Sequence, residues 1–269
     1  MRIEHTLSQQ LLKRRAVQVL VVGAGGTGSA VLMGLPYLHQ AMRVGGHPYG
    51  LAVTIMDPDT VSATNCVRQP FAQSDIGLNK AIVLVNRINI FWGSSWAAVP
   101  SAFTEQCVRG YDQTPDLVIG CVDTRAARKS IYDALTSPSQ GTSYYLDIGN
   151  NAASGQYVLG QPLNMANRRK AERLRTVAEL YPEIVDADTG EDELPSCSAV
   201  EALSRQEPFI NQTLAASALA MLAQLFRYGR IAHHGAFYNA QTGRMSSLAI
   251  DPDQWAKTQR RNRWLQRAA

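Results

Sequence analysis

The sequence predicts an α/β protein of Rossmann-like type, with a mostly parallel, doubly wound sheet and helices on both faces. Apolar runs of strand length alternate with helical stretches over residues 16–159, the pattern of successive β–α–β units. The first apolar run ends in a glycine-rich turn that leads into a helix, GAGGTGS. We predict one domain over residues 1–269, with a nucleotide-binding part (1–160), a charged crossover loop (161–196), and a C-terminal helix, hairpin and tail (197–269).

The predicted elements follow from periodicity and from breaking residues. The predicted strands cover residues 16–22, 51–56, 96–103, 116–122, 144–148 and 156–159, and the predicted helices cover 8–15, 26–42, 79–92, 125–135 and 208–227. Two further strands, 236–240 and 245–250, should form a hairpin around Thr242 and Gly243. The connection at 161–195 is rich in charge and poor in aliphatics, so we expect it to be exposed. The helix at 208–227 is apolar on more than one face, which suits either the core or a subunit interface.

Composition narrows the class of protein. Apolar residues make up 45% of the chain and charged residues 18%, which predicts a globular core. The net charge of +4 is small. The sequence has no stripe of basic residues interleaved with aromatic residues, so we do not expect the protein to bind nucleic acid. The four cysteines form no CxxC pair, so we expect no zinc. With no leader-like start and no bilayer-length apolar run, we expect a cytoplasmic protein that binds no membrane.

The glycine-rich turn predicts a phosphate-binding site. Gly23, Gly25 and Gly28 match the pattern G-x-G-x-x-G, with Gly26 inside it. Such a turn lets a phosphate approach the backbone, and the following helix directs its free N–H groups at that phosphate. After an apolar strand, this interpretation is favoured over simple helix–strand packing. The motif alone does not identify the nucleotide.

Charged residues after the next strands point to a triphosphate. Asp57 ends the second strand, where an acid can bind ribose hydroxyls. Arg68 and Lys80 follow, and two cations near a glycine loop can neutralise a departing pyrophosphate. Asp123 follows a later strand at the same sheet edge and can ligate Mg²⁺. Taken singly, the cations could be surface charges, Asp57 a turn former and Asp123 a helix N-cap; the joint spacing favours the site.

These segments together resemble a known family. The motifs are GAGGTGS, DPDTVSATNCVRQ, GLNKA and DTRAAR. They are similar to those of the ThiF/MoeB adenylyltransferases, relatives of ubiquitin-activating enzymes, and within bacteria to the PRTRC-system ThiF proteins. The resemblance implies ATP- and Mg²⁺-dependent adenylation of the C-terminal glycine of a small ubiquitin-like or sulfur-carrier protein. It also implies a homodimer and raises a separate conjugating enzyme as a further candidate partner.

The resemblance also implies roles for individual residues. It implies that Asp57 holds the ribose, that Arg68 and Lys80 act on the phosphates, and that Asp123 holds Mg²⁺. The full set of nucleotide-binding candidates is Gly23, Gly25, Gly26, Gly28, Asp57, Asp59, Asn65, Arg68, Gln69, Lys80 and Asp123. Asp59 alone also reads as a turn former after a proline. The family's cross-subunit arginine has no clear match here, and Arg14 and Arg15 are the candidates.

Cys197 is the fourth catalytic candidate, beside Arg68, Lys80 and Asp123. Ser198 and Glu201 match a capping box, which would set this thiol at a helix N-terminus and favour the thiolate. In some activating enzymes of the family, a cysteine in a comparable place accepts the carrier as a thioester or forms a persulfide link. The alternative is a structural cysteine at a helix start.

Several other residues carry weaker signals. Asp147 is a strand-end candidate whose alternative is a turn residue, and His233 and His234 read as structural. Cys66 and Cys121 read as packing residues. Two other functions stay open from the residues alone: an NAD- or FAD-dependent oxidoreductase, and a non-catalytic nucleotide-binding scaffold. The sequence offers no evident hydride-transfer acid or base for the first of these.

Overall fold

The computed structural model describes residues 3–8, 11, 15–109, 114–170, 172–186, 207–257 and 260. Its strands are β1 (His5–Thr6), β2 (Val17–Val22), β3 (Leu51–Met56), β4 (Ala97–Val99), β5 (Leu117–Gly120), β6 (Tyr144–Asn150), β7 (Ser154–Gly160), β8 (Arg230–Ile231), β9 (His233–Asn239) and β10 (Arg244–Ala249). Its helices are α1 (Gly26–Val44), α2 (Asn65–Arg68), α3 (Lys80–Trp92), α4 (Gln106–Arg109), α5 (Arg125–Thr136), α6 (Val177–Leu180) and α7 (Ile210–Tyr228), with 3₁₀ turns at Gln73–Asp75 and Pro182–Val185.

The described strands form an eight-stranded sheet in the order β10-β9-β7-β6-β5-β2-β3-β4. The strands from β6 to β4 are parallel, whereas β7, β9 and β10 are antiparallel to their neighbours. The chain leaves β2 toward β3 and β4 and then returns to the other side of β2 as β5. The strand order therefore reverses at β2, which is where open α/β sheets bind ligands. The prediction of a doubly wound α/β fold is confirmed, and the antiparallel part makes the sheet mixed.

The crossover helices cover both faces of this sheet. The β2–α1–β3 and β5–α5–β6 crossovers run in opposite directions, so the right-handed rule puts α1 and α5 on opposite faces. Helix α7 packs along α1 through its buried side. The two helices approach closely at Gly34, where an added Cβ would lie 2.4 Å from Leu219 Cδ1. Helix α7 is therefore a core element of this chain, one of the two positions that the sequence allowed.

Two predictions about local structure need correction, and one small sheet was not predicted. The first part of the charged connection is buried rather than exposed: Asn164, Asn167 and Arg173 are each less than 5% exposed. Asp147 does not end its strand but lies within β6. A two-stranded sheet of β1 and β8 was not predicted, because each strand is only two residues long. Of the predicted helix at 8–15, only residues 8, 11 and 15 are described, and residue 11 alone is helical.

Candidate functional site

A cavity of about 1570 Å³ lies at the carboxyl ends of the parallel strands. It is lined by ten of the predicted site residues, namely Gly23, Gly25, Gly26, Asp57, Asp59, Asn65, Arg68, Gln69, Lys80 and Asp123. The cavity exceeds the roughly 300–1000 Å³ of most small-molecule sites, so it has room for a nucleotide and part of a second ligand. Cys197, with Ser198 and Glu201, lies outside the described residues.

The glycine loop combines packing with open space. Gly23 has a φ of 97°, and a Cβ there would lie 2.7 Å from the Cys121 carbonyl oxygen. At Gly25 an added Cβ would meet no heavy atom within 4 Å, so this side of the loop is free for a ligand. Helix α1 begins here with no side-chain cap, and its first N–H groups remain available for an anion.

Gly28 departs from its predicted role. It does not line the cavity, and a Cβ there would lie 1.8 Å from the Gly23 carbonyl oxygen. Its position thus supports close packing of α1 under the loop rather than nucleotide contact. Gly26 has a related constraint, since a Cβ there would lie 2.6 Å from Asn211 Nδ2.

Asp57 connects the glycine loop to the end of β3. Its Oδ2 accepts from the backbone N–H of Ala24 at 2.5 Å, and its Oδ1 accepts from the N–H of Asp59 at 2.8 Å. Burial raises the pKa of Asp57, although these two N–H donors and Lys80 oppose the shift. The bond to Asp59 is the local turn that the sequence offered as an alternative. Asp57 therefore shapes the loop as well as lining the cavity.

Lys80 is buried rather than a surface charge. Its side chain is 9% exposed, and its Nζ lies 2.9 Å from Asp59 Oδ2. Asn79 holds the same segment, because its Nδ2 donates to the carbonyl oxygens of Asp57 and Asp59 and its Oδ1 accepts from the N–H of Ile82. The cap of α3 thereby fixes the lysine next to the acidic loop.

The short helix α2 brings polar groups to the same wall. Arg68 and Gln69 are half-buried, and Gln69 Oε1 is a buried acceptor with no hydrogen-bond partner among the described residues. Asn65 Oδ1 accepts from the N–H of Ser62 at 2.9 Å, which closes the turn before α2. This wall therefore faces the glycine loop with one cation and amide groups.

Asp123 lies on the cavity wall beyond β5. The N-cap of α5 is Thr124, whose side chain accepts from the N–H of Ala127, so Asp123 is not the cap. Its carboxylate is exposed and has no hydrogen-bond donor among the described residues. A single free carboxylate beside a phosphate site fits Mg²⁺, which takes most of its other ligands from phosphate and water.

Sequence reasoning missed two sets of polar contacts at the cavity, although it did name Asp147 of the second set as a weak candidate. In one, the Thr27 hydroxyl contacts Asn150 Oδ1 at 3.1 Å and Asn211 Oδ1 at 2.8 Å, which connects α1 to β6 and α7. In the other, Arg128 Nε lies 2.8 Å from Asp147 Oδ2, with both side chains buried. The signal for the second was present, because an acid inside an apolar strand requires a buried partner.

The remaining candidates are structural. Cys66 Sγ lies 3.4 Å from the carbonyl oxygen of Ala72 and 3.7 Å from that of Ser62, so either can accept its one S–H proton. Burial raises the pKa of Cys121, which keeps it a thiol. Burial lowers the pKa of His234 to about 4, and its Nδ1 bonds the Leu159 carbonyl oxygen at 2.8 Å.

Two observations bear on the other expected features. Arg15 pairs with Asp116 before β5, at the sheet edge opposite the cavity, and Arg14 is outside the described residues. In the described part of the chain, no helix is long and apolar enough to cross a bilayer, and no three His, Cys, Asp or Glu side chains meet as metal ligands.

Comparison with known proteins assigns the family. The model of the ThiF family matches residues 2–254. This chain belongs to the ThiF family. A relative from Candida albicans, "Adenylyltransferase and sulfurtransferase UBA4", is 35% identical over 125 residues. That alignment covers 45% of this ThiF-family chain but only 26% of the relative.

Solved structures support the same fold. Escherichia coli MccB solved with ATP superposes with a TM-score of 0.55 at 15% identity, over 90% of this chain and 65% of MccB. MccB with selenomethionine MccA gives 0.56 at 15% identity, over 91% and 66%. PaaA gives 0.56 at 13% identity, over 87% and 64%. The chain thus spans less than two thirds of the length of these relatives.

Proposed function

We propose that this chain uses ATP to adenylate the C-terminal carboxylate of a small ubiquitin-like or sulfur-carrier protein that ends in glycine. The observation that carries the proposal is the gathering of Arg68, Lys80 and Asp123 around one glycine loop in a member of the ThiF family. The names of the relatives agree with it: UBA4 is called an adenylyltransferase, and MccB has been solved with ATP and with MccA.

The proposed reaction needs positioning and electrostatics rather than a general base. A carboxylate oxygen of the carrier attacks the α-phosphorus of ATP, the bond from that phosphorus to the bridging oxygen breaks, and pyrophosphate leaves. The nucleophile already carries its charge, so no proton has to be removed. Arg68 and Lys80 would stabilise the charge that accumulates on the phosphates. Asp123 would hold Mg²⁺, which screens phosphate charge when bound.

The test is exchange of labelled pyrophosphate into ATP, with and without a small carrier ending in glycine. Asp123→Asn is the sharpest variant, because this exposed carboxylate has no hydrogen bond among the described residues and its loss should leave the fold intact. Exchange should fall at least a hundredfold, and Lys80→Ala should act in the same direction. Asp133→Asn, an exposed acid on helix α5, which follows Asp123 in the chain, is the matched control. Unchanged exchange in the Asp123 and Lys80 variants would exclude this site.

Binding measurements beside the exchange assay separate the other two functions. ATP binding without any exchange would support a nucleotide-binding scaffold. Tightly held NAD or FAD, detected by titration and by the visible spectrum, would support an oxidoreductase.

A second step is proposed from the sequence alone. The thiolate of Cys197 attacks the carbonyl carbon of the carrier adenylate, a thioester forms, and AMP leaves. Intact mass of the chain after incubation with ATP, Mg²⁺ and carrier should show an adduct that thiols remove and that Cys197→Ser lacks. Homodimerisation belongs to the same proposal and is tested by sedimentation; a conjugating partner would accept carrier from this adduct.

A further inference from the structure

A buried ion pair lies beneath the cavity on the side of β6. Arg128 of α5 places Nε 2.8 Å from Asp147 Oδ2, and their side chains are 7% and 0% exposed. The Tyr145 hydroxyl donates to the same Oδ2 at 2.8 Å. Burial raises the pKa of Tyr145 well above its ordinary value, so this hydroxyl keeps its proton and remains a donor. Two donors therefore hold one carboxylate oxygen, and that oxygen fixes the guanidinium.

This pair is not arranged for stability alone. Asp147 Oδ1 is buried and accepts no hydrogen bond within the described residues. Removing two charges from water is unfavourable. The attraction within the pair compensates for this desolvation penalty poorly when one carboxylate oxygen has no hydrogen bond. Buried polar groups that lack a hydrogen-bond partner are commonly found at functional sites. Arg128 itself lines the cavity, which gives the pair a surface to act on.

The guanidinium keeps donors for a ligand. Of its five N–H groups, Nε bonds Asp147 and Nη2 bonds the Val122 carbonyl oxygen at 3.2 Å. Three N–H groups are left without a partner among the described residues. Gly149 preserves the space around them, because a Cβ there would lie 2.7 Å from Arg128 Nη2.

Strand order places this cation opposite Lys80. Along the sheet edge, Asp57 follows β3, the glycine loop follows β2, Asp123 follows β5, and Asp147 lies on β6. Lys80 is held by Asp59 on the β3 side of the loop, whereas Arg128 lies on the β6 side. The cavity thus has a cation at each flank of the phosphate-binding turn.

We propose that Arg128 binds the C-terminal carboxylate of the protein to be adenylated, and that Asp147 and Tyr145 are its positioning residues. The proposal rests on the proposed function. A guanidinium edge matches a carboxylate with two parallel hydrogen bonds. Asp147 already offsets the charge of Arg128, which suits a monoanion better than a triphosphate. The carrier terminus would enter from the β6 side, past Asn150 and Gln156 on the cavity wall.

The first test measures binding, independently of catalysis. A glycine-terminated carrier and its C-terminally amidated form are titrated against the full-length chain. Wild type should bind the acid at least tenfold more tightly than the amide. Arg128→Lys keeps the charge but loses the planar edge, and Gly149→Ala displaces the guanidinium without removing it. Both substitutions should reduce the ratio of the affinity for the acid to the affinity for the amide toward one. Lys129→Met, an exposed neighbour on α5, is the control and should retain the wild-type ratio.

The second test separates carrier from nucleotide in the exchange reaction. Arg128→Lys should raise the KM for the carrier at least tenfold with the KM for ATP within twofold, and Tyr145→Phe should raise the carrier KM a few-fold at unchanged kcat. A rise in the KM for ATP instead, or equal binding of acid and amide by wild type, would overturn the inference. Acid-selective binding that depends on Arg128, without any exchange in wild type, would overturn the proposed function but not this inference.

Discussion

Two glycines of the same motif should respond to alanine in opposite ways. At Gly28 the added methyl would lie 1.8 Å from the Gly23 carbonyl oxygen, so backbone must move. Overpacking in a core usually costs about 1–3 kcal/mol, and a clash with backbone should reach about 3 kcal/mol. At Gly25 the methyl meets nothing within 4 Å. Alanine is a weaker helix N-cap than glycine, which should lower the free energy of unfolding by up to about 1 kcal/mol. Alanine also restricts the unfolded chain, which should raise the free energy of unfolding by about 0.4–1 kcal/mol.

Urea unfolding followed by circular dichroism measures this difference. With a denaturant slope of about 3 kcal/mol per molar, Gly28→Ala should lower the midpoint by about 1 M, and Gly25→Ala should leave it nearly unchanged. ATP affinity should show the reverse order, because only the methyl at Gly25 enters the cavity. Equal midpoints for the two variants, or ATP binding by Gly25→Ala as tight as wild type, would refute this division of the motif into a packing glycine and a ligand glycine.

Three further predictions concern stability. Burial alone would raise the pKa of Glu179, but Arg173 outweighs it and lowers that pKa below 4.5. Glu179→Gln should therefore lose about 3 kcal/mol at pH 7, and the deficit should shrink as pH falls below 4.5; a pH-independent deficit would contradict the ion pair. Burial holds the pKa of His234 near 4 against 6.5 unfolded, so wild type should lose up to about 3 kcal/mol between pH 6.5 and 4, and His234→Asn should flatten this slope in parallel urea titrations. Asn79→Ala removes a cap and two loop bonds and should cost about 2–3 kcal/mol, whereas Asn79→Ser, which keeps a capping acceptor, should recover part of it; equal midpoints would argue against the cap.

The parallel half of the fold is readable from the sequence because its strands are buried on both faces. Strands β2, β3 and β5 appear as nearly continuous apolar runs, and their predicted positions agree with the structure to within two residues. The direction of β7 was not readable, since strand pairing depends on partners distant in sequence.

The main error of the sequence prediction concerns the burial of polar residues. Polar side chains become buried when they find hydrogen-bond or ion-pair partners in the folded protein. The connection after β7 looked exposed because it is rich in amides and charges. In the structure, Asn164 Nδ2 donates to the carbonyl oxygens of Leu135 and Thr142, and Arg173 pairs with Glu179. Satisfied polar groups can be buried, and composition does not report their partners. The gathering of the motif residues in one cavity was predictable because carboxyl ends of parallel strands share an edge.

The contact between Gly26 and Asn211 has an evolutionary consequence. The amide nitrogen of Asn211 fills the space that any side chain at position 26 would need. A lineage that acquired alanine or serine at position 26 would have to shorten residue 211 in the same period. Substitutions at these two sites should therefore covary among homologous sequences, although one belongs to helix α1 and the other to helix α7.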